Sequence, residues 1–186
     1  MNNTKVIAIS GMSGSGKTTQ VKQLARLFDC PYLLFDDYSN ECTYPCDMAQ
    51  WLREGTNVSL ISSPGFVNAL QHLVASSSRP FVFVEEPFGK EREATRTLID
   101  TVILLDTPAE ICLSRVIKRH IAHNHANAAT SINKYLAQYD SHYREIYISV
   151  VNQVRQNADL VVKDVISIAD TTQFISACLS NKYSTI

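Results

Sequence analysis

This sequence lacks both a long apolar run and an imbalance of charge. Its 186 residues carry a formal net charge of −1, so composition indicates neither a disordered chain nor a basic surface for nucleic acid. No stretch approaches the ~20 consecutive apolar residues of a membrane span, and no leader-like apolar segment follows the first residues. We therefore expect a cytoplasmic protein with a small soluble partner and without nucleic-acid or membrane partners.

Cysteines in a metal-site spacing are also missing. Five cysteines are scattered along the chain, and an odd number without a regular spacing favours reduced thiols. The pair Cys42 and Cys46 does not have the spacing of a zinc finger or knuckle. The length permits one domain with a sizeable core, so we expect a single α/β domain over residues 1–186.

The most specific pattern that is present lies in "VIAISGMSGSGKTTQ". A buried strand over Val6–Ser10 runs into the spacing G-x-x-x-x-G-K-[ST], which is the phosphate-binding loop. Backbone N–H groups of such a loop surround phosphate oxygens at a helix N-terminus, while Lys17 reaches the β and γ phosphates and Thr18 ligates Mg²⁺. A flexible glycine-serine turn is the alternative, and the flanking strand and helix disfavour it. The predicted nucleotide-binding residues are Gly11, Met12, Ser13, Gly14, Ser15, Gly16, Lys17, Thr18 and Thr19.

Strand and helix patterns alternate along the rest of the chain, which predicts a parallel sheet with helices on both faces. Three apolar strands end in carboxylates, and ligands of such sheets bind beyond these strand ends. We also predict a long helix from about residue 132 to 156. The strand-end carboxylates are Asp36 with Asp37, Glu85 with Glu86, and Asp106.

Two of these carboxylate pairs have candidate roles in phosphoryl transfer. Asp36 could accept a proton from an attacking hydroxyl, and Asp37 is its rival, although paired aspartates are also ordinary turn residues. Glu85 could hold water of a Mg²⁺ shell; strand alternation directs Glu86 elsewhere, and capping of a following helix is the alternative role for Glu85.

A predicted helix after Thr107-Pro108 carries Arg115, Lys118 and Arg119 on one face. These cations could close over the transferring phosphate as a lid over about residues 112–130, or they could form a solvated basic face. Arg115 and Arg119 are the candidate catalytic cations.

The segment from residue 29 to 89 must shape an acceptor site, and it has eight acidic and two basic residues. An acceptor phosphate would be repelled there, so a neutral or cationic acceptor with free hydroxyls is favoured. Asp47 could bind a diol, and Trp51, one helical turn later, could stack on an aromatic ring or pack in the core. We place the acceptor-binding insert at about residues 37–79.

Five stretches together resemble the uridine kinase and nicotinamide riboside kinase group of P-loop kinases, in order and approximate spacing. They are "GMSGSGKTT", "FDDYSNECTYPCDMAQW", "FVFVEEPFG", "ILLDTPAEICLSRVIKR" and "ADLVVKD". The resemblance implies a five-stranded parallel sheet of order 2-3-1-4-5 and transfer of the γ-phosphoryl group of ATP, with Mg²⁺, to a nucleoside hydroxyl. The roles it implies are Asp36 as base, Asp47 on the ribose hydroxyls, Glu85 for Mg²⁺, and Arg115 with Arg119 on the phosphates.

Two other functions stay open from the sequence. A nucleoside monophosphate kinase or another small-molecule P-loop kinase would share the fold, although the acidic acceptor segment disfavours the former. A nucleotide-binding regulatory protein without kinase activity is the second alternative. The guanine-reading pattern N-K-x-D is absent after Asn133-Lys134, and no "LSGGQ" transporter signature occurs.

Overall fold

The computed structural model describes residues 4–123 and 127–184. Its centre is a parallel sheet in the order β2-β3-β1-β4-β5, which confirms the predicted topology. The strands are β1 (Lys5–Ser10), β2 (Tyr32–Leu33), β3 (Phe81–Glu85), β4 (Thr101–Leu105) and β5 (Leu160–Val162).

Eight α-helices are described around the sheet: α1 (Lys17–Phe28), α2 (Met48–Arg53), α3 (Pro64–Ser76), α4 (Glu93–Arg96), α5 (Ala109–His123), α6 (Ala128–Gln138), α7 (Arg144–Asn157) and α8 (Ile168–Lys182). Short 3₁₀ segments cover Phe35–Glu41 and Val58–Leu60, and a π-helical turn covers Tyr139–Tyr143. No described helix combines the length and the hydropathy that crossing a bilayer requires.

Side chains of β1 alternate between two apolar clusters, because successive residues of a strand face opposite sides of the sheet. Ile7 and Ile9 belong to a cluster with residues of α1 and α8. Val6 and Ala8 belong to the other cluster, with Phe66 of α3 and residues of α7. The sheet is therefore buried on both faces, which explains why its strands have no polar alternation.

The structure differs from the predicted elements at two places that shape the site. The second strand is shorter than its apolar run, since β2 is an edge strand that pairs with β3 only at Tyr32 and Leu33. The chain then forms the 3₁₀ segment that carries Asp36 and Asp37 in its first turn. The predicted helix over 132–156 is two helices joined by the π-helical turn.

Candidate active site

The phosphate loop joins β1 to α1 at the carboxyl end of the sheet and packs against α5. Gly14 has a φ of +86°, and a Cβ atom there would lie 2.4 Å from the carbonyl oxygen of Cys112. Gly11 has a φ of +140°, and its Cβ would lie 2.7 Å from the carbonyl oxygen of Leu105. Glycine is thus needed at both positions for the backbone conformation and for the close approach of neighbouring backbone.

Lys17, Thr18 and Glu85 meet beside this loop. The Lys17 Nζ atom donates to the carbonyl oxygen of Met12 at 3.1 Å and lies 3.6 Å from Glu85 Oε1. Thr18 Oγ1 donates to Glu85 Oε2 at 2.8 Å. Glu85 is the last residue of β3 and is 2% exposed. A buried carboxylate is therefore paired with a cation and a hydroxyl beside the predicted phosphate-binding loop.

The Thr18 hydroxyl and the Glu85 carboxylate fit a Mg²⁺ ion in their chemistry, because Mg²⁺ prefers oxygen ligands and is commonly held by one or two carboxylates together with substrate phosphates. Within residues 4–123 and 127–184, no three His, Cys, Asp or Glu side chains form a metal-binding group by themselves. A cation here would need phosphate oxygens as further ligands, and the assignment of Thr18 and Glu85 stays a prediction.

Two of the three predicted lid cations lie over the phosphate loop. Arg115 Nη1 donates to the carbonyl oxygens of Gly14 and Ser15, each at 3.3 Å. Arg119 Nη2 donates to Ser13 Oγ at 3.4 Å. Lys118 is exposed and does not line the main cavity. The predicted lid over 112–130 comprises parts of α5 and α6, and its residues 124–126 lie outside the described residues.

The main cavity, of about 790 Å³, begins at the phosphate loop and extends over the carboxyl end of the sheet. Asp36 lines this cavity, whereas its rival Asp37 does not. Its cations Lys17, Arg115 and Arg119 all lie at the phosphate loop. Away from the loop we define the acceptor compartment by its lining residues Phe35, Asp36, Tyr44, Pro45, Met48, Trp51, Pro87, Phe88, Tyr135, Gln138, Tyr143, Ile146, Tyr147, Val150 and Val151.

The acceptor compartment is largely aromatic and apolar. Among its described lining residues Asp36 is the one charged side chain. Such a compartment favours a planar or apolar group and offers no cation to an anionic one. Of the eight acidic residues in the segment over 29–89, two line the described cavity wall: Asp36 in the acceptor compartment and Glu85 beside the phosphate loop.

Four tyrosines at four-residue intervals cross the π-helical turn, and sequence reasoning overlooked them. Ring centroids lie 6.1 Å apart for Tyr135 and Tyr139, 6.0 Å for Tyr143 and Tyr147, and 6.4 Å for Tyr139 and Tyr147. Tyr135, Tyr143 and Tyr147 line the cavity, and burial raises the pKa of Tyr135 and of Tyr147. The regular spacing was the available signal, since helical residues four apart share a face.

Trp51 and Asp47, both predicted for the acceptor site, have different places. Trp51 is 3% exposed, belongs to a core cluster and also lines the cavity; its indole N–H donates to the carbonyl oxygen of Asn57 at 3.1 Å. Asp47 is exposed and accepts a hydrogen bond from the Gln50 N–H at 2.8 Å, which caps α2. The structure thus brings Trp51, and not Asp47, to the cavity.

A buried ion pair, which the sequence analysis did not anticipate, lies behind the cavity wall. Arg92 is 1% exposed, and its Nη2 atom lies 2.5 Å from Oε2 of the fully buried Glu86. Burial raises the pKa of the Glu86 carboxyl, and the Arg92 guanidinium acts in the opposite direction. Neither side chain lines the main cavity, so Arg92 is not available to bind a substrate phosphate there.

A second cavity of about 190 Å³ lies on the other side of the phosphate loop. Its walls include Ser15, Thr19 and Arg115. The exposed apolar residues Val165 and Ile168 line its outer part. Asp164, Thr107 and Thr171 also line it, so a small groove of mixed polarity adjoins the phosphate loop.

Comparisons with known proteins identify relatives of this chain. No family model matches the chain. The uridine kinase of Borreliella burgdorferi is 29% identical over 182 residues, which cover 86% of this chain and 86% of the relative. The uridine kinase of Staphylococcus epidermidis is 24% identical over 190 residues, covering 88% and 89%. These relatives confirm the resemblance to uridine kinases.

Solved structures extend the likeness to the whole fold. The shikimate kinase of Aquifex aeolicus matches with a TM-score of 0.56 at 16% identity, over 96% of this chain and 98% of that one. The chain has the fold of the P-loop kinases. A further P-loop kinase, the shikimate kinase of Acinetobacter baumannii in complex with shikimate, matches with a TM-score of 0.54 at 19% identity, over 98% and 97%. At these identities the structural likeness supports the P-loop kinase fold and leaves the substrate to be argued from the site.

Proposed function

We propose that this P-loop kinase transfers the γ-phosphoryl group of ATP to a hydroxyl of a small acceptor without phosphate, a nucleoside of the uridine or nicotinamide riboside type. The observation that carries the proposal is the main cavity, which joins the phosphate loop to a compartment where Asp36 is the one charged side chain among the described lining residues. The uridine kinases among the relatives support the same reaction class.

In the proposed reaction, positioning and charge neutralisation do most of the work. Lys17, Arg115 and Arg119 would offset charge on the phosphates, since all three line the cavity at the loop. Asp36, which lines the same cavity away from these cations, would accept the proton of the attacking hydroxyl. Bound Mg²⁺, held through Thr18 and Glu85, would neutralise charge on the phosphate oxygens.

The donor base has a candidate place in the smaller cavity. This cavity adjoins the loop residues Ser15 and Thr19 and is lined by Val165 and Ile168. A purine ring could cover these exposed apolar side chains, while Arg115, which lines both cavities, would lie between base and phosphates. This place suits a purine nucleoside triphosphate, and the kinases among the relatives support ATP as the donor that we propose.

The cavity also bears on the alternative of a nucleoside monophosphate kinase. An acceptor that already carries a phosphate dianion needs a cation beside it, usually an arginine. The described acceptor compartment has none, and the nearest buried arginine, Arg92, is engaged by Glu86. A nucleotide-binding regulatory protein without catalysis would leave the Asp36 carboxylate on the cavity wall without a role.

A turnover panel tests the proposal. Purified protein, MgATP and a set of nucleosides, their monophosphates and shikimate are incubated, and both ADP and the phosphorylated product are measured by mass spectrometry. We expect product from at least one nucleoside and none from the monophosphates. Lys17→Met, verified as folded by circular dichroism, should abolish transfer. Turnover of monophosphates alone would contradict the proposal, and so would unchanged transfer in folded Lys17→Met.

A further inference from the structure

Arg92 makes polar contacts with two separate segments next to the acceptor compartment. Its Nη2 atom pairs with Glu86, directly after β3. Its Nη1 atom donates to Ser63 Oγ and, at 3.3 Å, to the carbonyl oxygen of Ile61, both in the segment that precedes α3. A single planar side chain thus connects the end of β3 to the segment that precedes α3.

The guanidinium also lies among three phenylalanine rings. Its central carbon is 5.0 Å from the ring centroid of Phe35, 5.6 Å from that of Phe88 and 5.8 Å from that of Phe66. Phe35 packs edge-on against Phe66 and against Phe88, with centroids 5.5 and 5.7 Å apart. Phe35 and Phe88 both line the main cavity. Arg92 therefore supports the cavity wall from behind.

The residues that Arg92 holds are chain neighbours of two candidate functional residues. Phe35 directly precedes Asp36, the candidate base, and Glu86 directly follows Glu85, the candidate Mg²⁺ residue. A shift of the Phe35 ring or of the Glu86 carboxylate would move the backbone from which Asp36 or Glu85 projects. The distance between these two carboxylates thus depends on one buried contact set.

Stability alone is a poor explanation for this arrangement. Replacing a buried ion pair by uncharged residues of similar volume is often neutral or stabilising, because desolvation of the two charges offsets their attraction. Arg92 also leaves its Nε–H without a hydrogen-bond partner among the described residues, which adds a further cost of burial. The three phenylalanine rings around the guanidinium offset part of this cost, and the geometry that the pair imposes on its surroundings is a further benefit.

We infer that Arg92, through its pair with Glu86, is a positioning residue that sets Asp36 relative to Glu85 for phosphoryl transfer. The expected change in kcat rests on the proposed function. The expected change in local structure rests only on the contacts of Arg92. Arg92 itself contacts no substrate.

The test is the double variant Glu86→Gln/Arg92→Met, which removes both charges and keeps the side-chain volumes similar. We expect a melting temperature close to that of the wild type and an unchanged KM for ATP, since neither residue lines the main cavity with the phosphate loop. The kcat should fall by about 10–100-fold, because a displacement of about 1 Å at reacting groups has such an effect. Arg92→Lys, which keeps the charge without the planar fork, should give an intermediate kcat.

A control uses a partly exposed ion pair at the opposite end of the sheet. Lys182 Nζ lies 2.7 Å from Asp159 Oδ1, and Asp159 Oδ2 accepts from the Val102 N–H. Asp159→Asn/Lys182→Met removes these charges in the same way and should leave kcat unchanged. A merely structural role for Arg92 predicts instead that both double variants lower kcat only as far as they lower the folded fraction.

Amide hydrogen exchange measured by mass spectrometry separates this inference from the proposed function. The Glu86→Gln/Arg92→Met variant should exchange faster than wild type at residues 34–38 and 85–89, and the Asp159→Asn/Lys182→Met control should not. Unchanged exchange in those two segments overturns the positioning role, as does a wild-type kcat in the double variant. If the wild type phosphorylates no acceptor, the proposed function fails and the exchange result alone decides the role of Arg92.

Discussion

Replacement of Gly14 by alanine should weaken nucleotide binding by displacing the whole phosphate loop. The new Cβ atom would lie 2.4 Å from the carbonyl oxygen of Cys112, where ordinary contact begins at 3.4 Å. The obstacle is helix backbone, so the loop must retreat from α5 by about 1 Å. Displacements of that size at a binding site can cost on the order of 10²-fold. We therefore expect Gly14→Ala to raise the Kd of a non-hydrolysable ATP analogue by about 10²-fold.

Gly55→Ala separates the steric effect from backbone strain. Gly55 has a φ of +89°, close to the +86° of Gly14, but a Cβ there meets no heavy atom within 4 Å. Both variants should lose about 1–2 kcal/mol of unfolding free energy from the left-handed backbone, and Gly14→Ala should lose about 1–3 kcal/mol more from overpacking. Calorimetric titration gives the Kd, and denaturant unfolding gives the stability. If Gly14→Ala bound nucleotide as the wild type does and lost no more stability than Gly55→Ala, the close packing of loop and α5 would be refuted.

Three further predictions concern single side chains. Asp36→Asn should lower kcat by ~10²–10⁴-fold, the range for a positioned base, while Asp37→Asn should change kcat little because Asp37 does not line the cavity. Steady-state turnover with ADP detection measures both effects, and the reverse pattern would assign the base to Asp37. Arg115→Ala should lower kcat more than it raises the acceptor KM, with Lys118→Ala as the control on the same helix; an effect on KM alone would contradict a role in the transition state. The Cys112 thiol, whose pKa burial raises to about 11, should resist iodoacetamide at pH 8 in the folded protein and react after denaturation, because the thiolate is the reactive form; rapid labelling of the folded protein would contradict this burial.

The elements that the sequence predicts well are those with a local physical cause. The glycine spacing before Lys17 requires a particular loop conformation wherever it occurs after a strand, and the unalternating apolar strands require helices on both faces of the sheet. The sequence alone could not decide whether Asp36 or Asp37 faces the cavity. That choice depends on the early end of β2 and on the 3₁₀ segment that follows, which brings Asp36 to the cavity wall. The choice between neighbouring residues thus depended on where an edge strand stops pairing.

Other parts of the site depend on contacts between distant segments, which a single sequence does not contain. The carboxylate of Asp47 could bind a substrate hydroxyl or cap a helix, and the sequence alone does not distinguish these roles. The fold shows that this carboxylate accepts a hydrogen bond from the Gln50 N–H. Arg92 lies just beyond the acidic segment considered for the acceptor site, and its pairing with Glu86 is formed by the turn after β3. In both cases the sequence shows the residue type, but it does not show which group the side chain contacts.

Trp51 gives the acceptor compartment a natural optical signal. It is the single tryptophan of the chain, and its ring belongs both to the core and to the cavity wall. Excitation at about 295 nm, at the red edge of tyrosine absorption, therefore gives emission from this indole alone. Tyr147 and other tyrosines line the same cavity. An acceptor that entered the compartment would displace water near this one fluorophore, so the unlabelled protein carries its own reporter of acceptor occupancy.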